Sequence, residues 1–311
     1  MALPPSVETL LSTVWDSITL NRLLTGTAVF FLFLNAKGLP GVWHYRLFKG
    51  LFIELVWKRS TTPAPSLDSQ GRPRLYSYFV TECSNPVIEC DYNLHKSNST
   101  FFSDLDINRT QLMMAHFKHV LSTASMPRKT KTANGNGSEQ EMKRPLMMAM
   151  GGVSCLFHRE IKPLQRYEIW SRVLAWDEKW VYVVSYFVKK GALSRDGNFR
   201  GDLDLDPKVN AKVVLASCMA RYVFKEGRIT VKPQRVLQEC GLLPLPQDEV
   251  VVGEKAEKAE RATAGSSWGK EQFEEARLKG LVTAHKFSGL EVLPLMTGFG
   301  ESGVLGRYDD F

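Results

Sequence analysis

The sequence predicts an α+β protein in which an antiparallel sheet is wrapped around one long central helix, with a membrane-anchoring segment at the N-terminus. Three features of the 311-residue chain lead to this prediction. A run over 101–122 is apolar on nearly every helical face, which is typical of a buried helix. Four strand-like runs follow it, and an uncharged apolar run occupies 23–34. The order of one buried helix followed by consecutive strands therefore determines the predicted fold class.

The N-terminal apolar run, 23–34, is too short to cross a hydrocarbon core of roughly 30 Å at about 1.5 Å per residue. Extension to residues 18–42 makes it long enough, provided that Arg22 and Lys37 reach toward the two membrane surfaces. A buried core helix is the alternative interpretation. Basic residues are concentrated after the run, so the positive-inside rule predicts a cytosolic main domain, with the apolar stretch 47–57 against the same leaflet. We expect a single-pass or monotopic protein of the endoplasmic reticulum membrane.

The strands are predicted from alternating or β-branched and aromatic sequences. The stretch 75–91 is typical of an extended pair or of one interrupted strand. The four later runs are 145–161, 165–177, 179–191 and 211–227. WDEKW, between the second and third of these runs, has the form of a short hairpin turn.

Changes in composition divide the chain into parts. TTPAPSLDSQGRP is rich in Pro, Ser and Thr, as linkers are, and STASMPRKTKTANGNGSEQEMKR has few apolar residues, as a mobile insertion does. The tail is charged and contains one plausible amphipathic helix, KEQFEEARLKGLVTAHKF. We expect a membrane anchor at 1–60, a linker at 61–74, a main domain at 75–230 with an insertion at 122–144, and a partly flexible C-terminal extension at 231–311.

Composition argues against several classes of function. The five cysteines contain no CxxC pair, so neither a disulfide framework nor a zinc site is expected. The net charge of +7 comes without the interleaved basic and aromatic residues of a nucleic-acid-binding module. We therefore predict no metal, no cofactor and no nucleic-acid partner.

The stretch CDYNLHKSNST, residues 90–100, concentrates an acid, two amides and an imidazole directly ahead of the buried helix. A surface turn alone explains the Asn and Ser content, because these residues satisfy their own backbone in turns and helix caps. On that interpretation Asp91 caps a turn, His95 closes the loop and Asn98 caps the helix. Asp104 is expected in the first helical turn, where the helix dipole favours an anion.

The loop and helix start, DYNLHKSNSTFFSDLDINR, resemble the hotdog-fold thioesterases of the 4-hydroxybenzoyl-CoA type, in which a D-x-N-x-H-x-x-N pattern precedes the long helix. The chain looks most like a membrane-anchored subgroup of them, which includes thioesterase superfamily member six and fungal thioesterase-like proteins, some encoded with secondary-metabolite assembly enzymes. The resemblance covers roughly 75–228 and the N-terminal leader. It implies a hotdog fold and a homodimer whose interface completes an acyl pocket with residues from 166–190.

The resemblance also implies an activity, which is the hydrolysis of an acyl thioester of coenzyme A or of a carrier protein, in lipid or secondary-metabolite biosynthesis. Asp91 is then the catalytic carboxylate, as general base or nucleophile, and His95 holds Asp91 or moves a proton. Backbone N–H groups at the helix start stabilise the oxyanion. The residues assigned to substrate binding or loop orientation are Asn93, Asn98, Ser99 and Thr100.

Two alternatives to the thioesterase stay open. Acyl-CoA hydratases and dehydratases share the fold and use a motif resembling G-D-x-N-P-x-H, whereas this chain has C-D-Y-N-L-H and lacks the Gly and the Pro. This difference favours the thioesterase. The chain also carries Phe101 where the family usually has Tyr, and Ser97 at one of its paired Asn positions. These departures are consistent with a membrane-tethered acyl-binding protein that lacks turnover.

Overall fold

In the computed structural model, the residues whose structure is described are 5–58, 65–68, 71–123, 146–191, 212–244 and 268–290. The predicted insertion lies outside them from residue 124 onward.

The N-terminal region is helical. Helix α1 spans Pro5–Leu34, a 3-10 turn follows at Ala36–Gly38, and α2 spans Val42–Phe52 and continues as a π-helix over Ile53–Trp57. Within α1, residues 12–34 are long and apolar enough to cross a membrane, and none of this stretch is buried against the rest of the protein. The span predicted from sequence, 18–42, is therefore displaced toward the N-terminus, because the helix already ends at Leu34.

The main domain is one six-stranded sheet. Its strands are β1 Phe79–Ser84, β2 Leu146–Phe157, β3 Arg166–Trp176, β4 Val181–Lys189, β5 Val214–Glu226 and β6 Ile229–Val231. The order across the sheet is β1-β3-β4-β5-β2, all neighbours are antiparallel, and β6 pairs with the end of β5. The four predicted runs are thus confirmed as β2 to β5. The stretch 75–91 contains one strand, β1, and a 3-10 turn at Val87–Glu89.

Helix α3, Asn98–Thr123, is the predicted central helix and packs against one face of this sheet. Its buried residues Leu112, Met113 and Phe117 share a core with side chains of the central strands, such as Val173 and Val183. A long helix against an antiparallel sheet is the arrangement of the hotdog fold, as the resemblance implied.

Two C-terminal helices complete the domain, α4 at Pro233–Glu239 and α5 at Lys270–Ser288. Helix α5 is the amphipathic helix predicted in the tail, and it covers the opposite face of the sheet at β3. A Cβ atom on Gly280 would lie 2.5 Å from the carbonyl oxygen of Leu174, so only glycine allows this approach. The Arg277 guanidinium donates to the carbonyl oxygen of Trp176 over 3.1 Å. The sheet is therefore covered on both faces.

Candidate active site

The motif loop, residues 90–97, is a tight turn closed by backbone contacts. Cys90 and Lys96 form an isolated β-bridge, and the N–H of Asp91 donates to the carbonyl of His95 over 2.9 Å. The N–H of Ser97 donates to the carbonyl of Glu89 over 2.9 Å. These contacts place Glu89 beside Ser97 at the start of α3 and Asp91 opposite His95.

The Asp91 carboxylate is held by its own loop through one oxygen. Oδ1 accepts the backbone N–H of Asn93 over 2.9 Å and that of His95 over 3.5 Å, which is an Asx turn. The turn interpretation is therefore realised in the structure, but it does not use the whole group. Oδ2 accepts no hydrogen bond from any residue that the structure describes, and Asp91 is half-buried. The loop thus fixes Oδ1 in place, and Oδ2 is available to a water molecule.

The ring of His95 is turned away from Asp91. Its Nε2 atom lies 2.9 Å from Oε2 of Glu160, on the loop that joins β2 to β3. A hydrogen bond between the two side chains of Asp91 and His95, one of the roles expected for the imidazole, is not formed. Sequence reasoning missed Glu160 because nothing near it in the chain signals that its loop folds beside the motif.

The start of α3 follows the motif loop directly and presents polar backbone groups. Ser97 precedes the helix, and its carbonyl accepts the N–H and the Oγ1 hydroxyl of Thr100 over 3.0 and 2.7 Å. The N–H groups of Asn98 and Ser99 lie in the first turn, where no intrahelical acceptor exists. Position 97, and not the predicted Asn98, is therefore the N-cap.

The remaining predicted substrate contacts lie at the surface. The side chains of Asn93 and Asn98 are exposed and make no hydrogen bond to other described residues. The hydroxyls of Ser97 and Ser99 are 3.1 Å apart and interact with each other. The structure thus places Ser99 and Thr100 in contact with Ser97 at the helix start, and it leaves the side chains of Asn93 and Asn98 exposed.

A buried charge cluster lies directly beneath the motif loop. We define it by six side chains, which are Lys37, Arg46, Glu89, Lys96, Asp104 and Tyr167. Oδ2 of Asp104 lies 2.8 Å from Nζ of Lys37 and 3.1 Å from Nζ of Lys96, and Oδ1 lies 3.1 Å from Arg46. The Tyr167 hydroxyl donates to the same carboxylate over 2.5 Å.

Glu89 and Lys96 connect this charge cluster to both ends of the motif loop. Oε2 of Glu89 lies 2.6 Å from Nζ of Lys96 and 2.8 Å from Nζ of Lys37. The side chain of Lys96 is fully buried, with 0% of its surface exposed. Because Glu89 precedes the loop and Lys96 lies at its end, the cluster fixes the spacing of the two loop ends.

The protonation equilibria of the cluster reflect its burial and its charges. Burial alone would raise the pKa of Asp104, but Lys37, Lys96 and Arg46 together hold that pKa well below its ordinary value. Burial and the nearby Asp104 carboxylate raise the pKa of the Tyr167 hydroxyl. Burial, with a smaller contribution from Asp104, raises the pKa of the Cys83 thiol to about 11. Asp104 is therefore a permanent anion, with a neutral phenol and a neutral thiol beside it.

The charge cluster corrects two expectations. The sequence predicts Lys37 at a membrane surface, whereas its side chain is only 12% exposed and lies among Asp104, Glu89 and the carbonyl oxygen of Ser84. Asp104 was expected in the first turn of the helix, but α3 begins at Asn98 and has no acid in that turn. Cations from the N-terminal region, and not the helix dipole, stabilise this carboxylate.

The comparison with protein families gives a match to the thioesterase-like superfamily over residues 86–227. Among curated proteins, the chain is 89% identical to "Probable thioesterase atnL" of Emericella nidulans over 311 residues, covering 100% of both chains. It is 36% identical to "Thioesterase poxG" of Penicillium oxalicum over 290 residues, covering 92% of this chain and 88% of that one. Among solved structures, a probable thioesterase of Escherichia coli, YbaW, aligns with 8% identity and a TM-score of 0.37, over 53% of this chain and 97% of that one.

Proposed function

Because the chain belongs to the thioesterase-like superfamily, we propose that it hydrolyses acyl thioesters of coenzyme A or of a carrier protein, with Asp91 as the catalytic carboxylate. The observation that carries the proposal is the state of the Asp91 side chain. One oxygen is fixed by the loop backbone, and the other is unoccupied among the described residues, beside a helix N-terminus.

The proposed reaction uses the motif loop, the first turn of α3 and one water molecule. Asp91 removes a proton from water, whose oxygen attacks the thioester carbonyl carbon. Backbone N–H groups at the start of α3, those of Asn98 and Ser99, stabilise the negative charge that develops on the carbonyl oxygen. The C–S bond then breaks, the thiolate leaves with the proton from Asp91, and a carboxylic acid is released. In the variant with Asp91 as nucleophile, water hydrolyses a mixed anhydride in a second step.

The pair of His95 and Glu160 has a supporting role in this proposal. At 2.9 Å the carboxylate of Glu160 orients the imidazole. The ring lies on the motif loop, where it can relay the proton to the leaving thiol. The assignment to the 4-hydroxybenzoyl-CoA type rests on this motif alone, and the place in lipid or secondary-metabolite biosynthesis stays a prediction.

The test uses the full-length chain in lipid nanodiscs, with acyl-CoA and acyl-carrier-protein thioesters of graded chain length and a reagent that detects free thiols. We expect Asp91→Asn to lower turnover by at least about 100-fold, the scale for loss of a positioned base. Glu178→Gln, on the exposed β3–β4 turn, is the matched control and should keep the wild-type rate. Wild-type rates in Asp91→Asn would remove this residue from the mechanism.

The same assay separates the alternatives. A hydratase would consume an enoyl thioester without releasing thiol, and a non-catalytic acyl-binding protein would retain the thioester unchanged. Release of one thiol for each acid formed supports the thioesterase, whereas either of the other results contradicts it.

We propose a membrane-anchored protein with its main domain in the cytosol. Its support is the exposed apolar helix of residues 12–34, about 35 Å long at 1.5 Å per residue, together with an outward stripe on α2. That stripe comprises Tyr45, Phe48 and Phe52, all exposed at helical spacing. Alkaline carbonate should fail to extract the chain, and protease added to intact microsomes should remove a C-terminal tag. A tag protected by the microsomes would reverse the orientation.

We also propose a homodimer, but with a different contact from the one first expected. Strands β3 and β4, which contain 166–190, lie inside the sheet between other strands. Among the described strands, β2 is an edge strand, and it exposes Met147, Met150 and Leu156. An exposed apolar edge is a ready surface for pairing. Light scattering on the nanodisc-free, detergent-solubilised chain should give twice the chain mass, and Met150→Lys should reduce it to the monomer mass.

A further inference from the structure

Three loops and the end of α1 meet at one end of the sheet, and hydrogen bonds join them. We call this surface the loop end, and it comprises residues 85–89, 90–97 and 158–165 with Asn35. The side-chain oxygen of Asn35, one residue beyond α1, accepts the N–H of Ile88 over 2.7 Å. The helix end is therefore fixed directly to the first of the three loops.

The other two loops are fixed to each other and to the first. The Asn85 amide donates to the carbonyls of Ile161 and Lys162 over 3.2 and 3.1 Å. The N–H of Lys96 donates to the carbonyl of Ile161 over 2.9 Å. The N–H of Leu164 donates to the carbonyl of Asn85 over 2.6 Å. The loop end therefore keeps a fixed position relative to α1.

Large apolar side chains form the tips of all three loops. Their exposed fractions are 55% for Ile88, 93% for Tyr92, 66% for Leu94 and 48% for Leu164. Each loop contributes at least one of them. The charged side chains of Glu89 and Lys96 lie inward beneath the loops, whereas Arg159, Glu160 and Lys162 are exposed on the third loop.

Two of these tips combine exposure with an unfavourable backbone. Leu94 and Leu164 both have φ of 59°, and they are the non-glycine residues with positive φ in the described part of the chain. This left-handed region favours Gly, Asn or Asp and is costly for other residues. Leucine is thus disfavoured at both tips, because the backbone is left-handed and because the apolar side chain is exposed to water. A contact with a partner outside the folded chain gives a physical reason for the presence of leucine at these positions.

We propose that the loop end docks on the membrane leaflet from which α1 emerges, with Tyr92, Leu94 and Leu164 inserted among the lipids. The motif loop then takes acyl thioesters that partition into that leaflet. This inference rests on the proposed membrane anchor and deepens the proposed thioesterase activity.

Continuity with α1 favours lipid as the occupant of this surface. The polar layer between the hydrocarbon core and water is about 5–7 Å thick on each side of a bilayer. Asn35 follows the last residue of the apolar helix and contacts Ile88 directly, so a spanning α1 holds the first loop at this layer. Tyrosine is enriched at the same depth in membrane proteins, which fits the position of Tyr92.

The first test measures lipid contact in the full-length chain reconstituted into phosphatidylcholine vesicles. Leu164→Cys and Glu178→Cys are labelled with an environment-sensitive fluorophore, and signal from the labelled unsubstituted chain is subtracted. Glu178 is 84% exposed on its side chain and lies on the β3–β4 turn at the opposite end of the sheet. We expect a blue shift and quenching by spin-labelled lipids for the probe at 164, and neither effect at 178.

Two outcomes of this test overturn the proposal. Equal quenching at both positions, or none at 164, means that the loop end does not contact lipid. A blue shift at 164 that resists lipid quenchers and grows with the ratio of protein to lipid identifies a second copy as the occupant.

The second test uses Leu164→Asn, which fits the left-handed backbone but removes the apolar tip. We expect the midpoint of thermal unfolding to rise by a few degrees, because strain is relieved. The KM for a long-chain acyl-CoA presented in vesicles should rise at least about 5-fold, with the rate on a short, water-soluble thioester within twofold of wild type. Ile229→Asn, at an exposed apolar position at the other end of the sheet, is the control and should leave both parameters unchanged.

The two tests separate failure of the inference from failure of the proposed function. If no variant hydrolyses thioesters, lipid quenching at 164 still supports docking and its absence still overturns it. If hydrolysis is normal but Leu164→Asn leaves the KM for the long-chain substrate unchanged, docking does not deliver substrate and the inference is wrong.

Discussion

Two carboxylates near the start of the central helix have opposite environments. Asp91 is half-buried, is bound through one oxygen by loop N–H groups and keeps its second oxygen without a partner among the described residues. Asp104 is buried, and both of its oxygens are bound by cations and by Tyr167. A carboxylate that is enclosed by cations cannot exchange protons near neutral pH, whereas one with a free oxygen can act on water. The difference supports the proposed roles, in which Asp104 is a scaffold carboxylate beneath the loop and Asp91 is the reactive carboxylate on it.

Asp104→Asn should give the largest change in the free energy of unfolding. The substitution keeps the size of the side chain but leaves the fully buried Lys96 and the partly exposed Lys37 and Arg46 with Glu89 as the one remaining carboxylate in the cluster. Breaking a buried ion pair by removing one partner typically costs about 3–5 kcal/mol in the free energy of unfolding. Thermal or denaturant unfolding of the detergent-solubilised full chain measures the loss.

Asp91→Asn is the matched control, since the chemical change is the same. We expect the free energy of unfolding of this variant to stay within about 0.5 kcal/mol of wild type, as for other surface substitutions. Equal losses in the two variants would mean that both carboxylates are structural and would remove the contrast.

Lys96→Met should lower the free energy of unfolding by less than Asp104→Asn does. The substitution keeps much of the apolar stem, removes a fully buried ammonium group and leaves Lys37 to compensate Glu89 and Asp104. We expect a cost of about 2–3 kcal/mol in the free energy of unfolding, toward the upper range for a lost hydrogen bond to a charged group. Lys232→Met, which breaks the exposed pair with Glu178, should cost little by comparison. Similar losses in the free energy of unfolding of both variants would mean that burial does not strengthen the ion pairs of Lys96.

Acid should reduce the stability that the charge cluster contributes to the folded chain. The pKa of Asp104 is lowered in the folded state, below the unfolded value of about 3.9, so its contribution is fully present above that value. As the pH falls below about 4, the unfolded chain binds a proton that the folded chain does not, and stability is lost. At pH 3 this amounts to about 1 kcal/mol, measured as the difference in unfolding between wild type and Asp104→Asn across pH 6 to 3. Parallel curves for the two proteins would contradict the assignment.

The smallest effect on turnover is expected for the exposed pair of His95 on the motif loop and Glu160 on the β2–β3 loop. Glu160→Gln removes the charge that faces His95 while keeping the shape of the side chain. We expect turnover to fall by roughly 2- to 10-fold, less than for a group in direct contact with the reacting atoms, with the free energy of unfolding nearly unchanged. Unchanged turnover in Glu160→Gln would give the pair of His95 and Glu160 no part in the reaction.

Periodic segments of the chain were predictable because their own side chains determine their structure. The central helix is apolar on most faces, the strands β2 to β5 are rich in β-branched and aromatic residues, and the tail helix has one apolar face. Each of these patterns is local and specifies a partner surface of a given shape.

The charge cluster and the partner of His95 were not predictable because they join distant parts of the chain. Lys37 and Arg46 meet Asp104 across 67 and 58 residues of sequence. A lysine at the end of an apolar helix is by itself typical of a membrane surface residue, and only the folded chain shows its carboxylate partners. The same holds for Glu160, whose loop folds beside the motif through the hydrogen bonds of Asn85 and Lys96.

The distance in sequence between Lys37 and Asp104 has a consequence for synthesis on the ribosome. At roughly 5–20 residues per second, the 67 residues that separate them take about 3–13 s to emerge. Until Glu89 emerges, 52 residues after Lys37, the two cations have no carboxylate of the cluster to bind, and they are free positive charges on the cytosolic side of the proposed anchor. Such charges retain a segment in the cytosol while the helix inserts. On the proposed topology, the same two cations therefore serve first as an orientation signal for the nascent chain and later as counterions of the buried Asp104 carboxylate on the central helix.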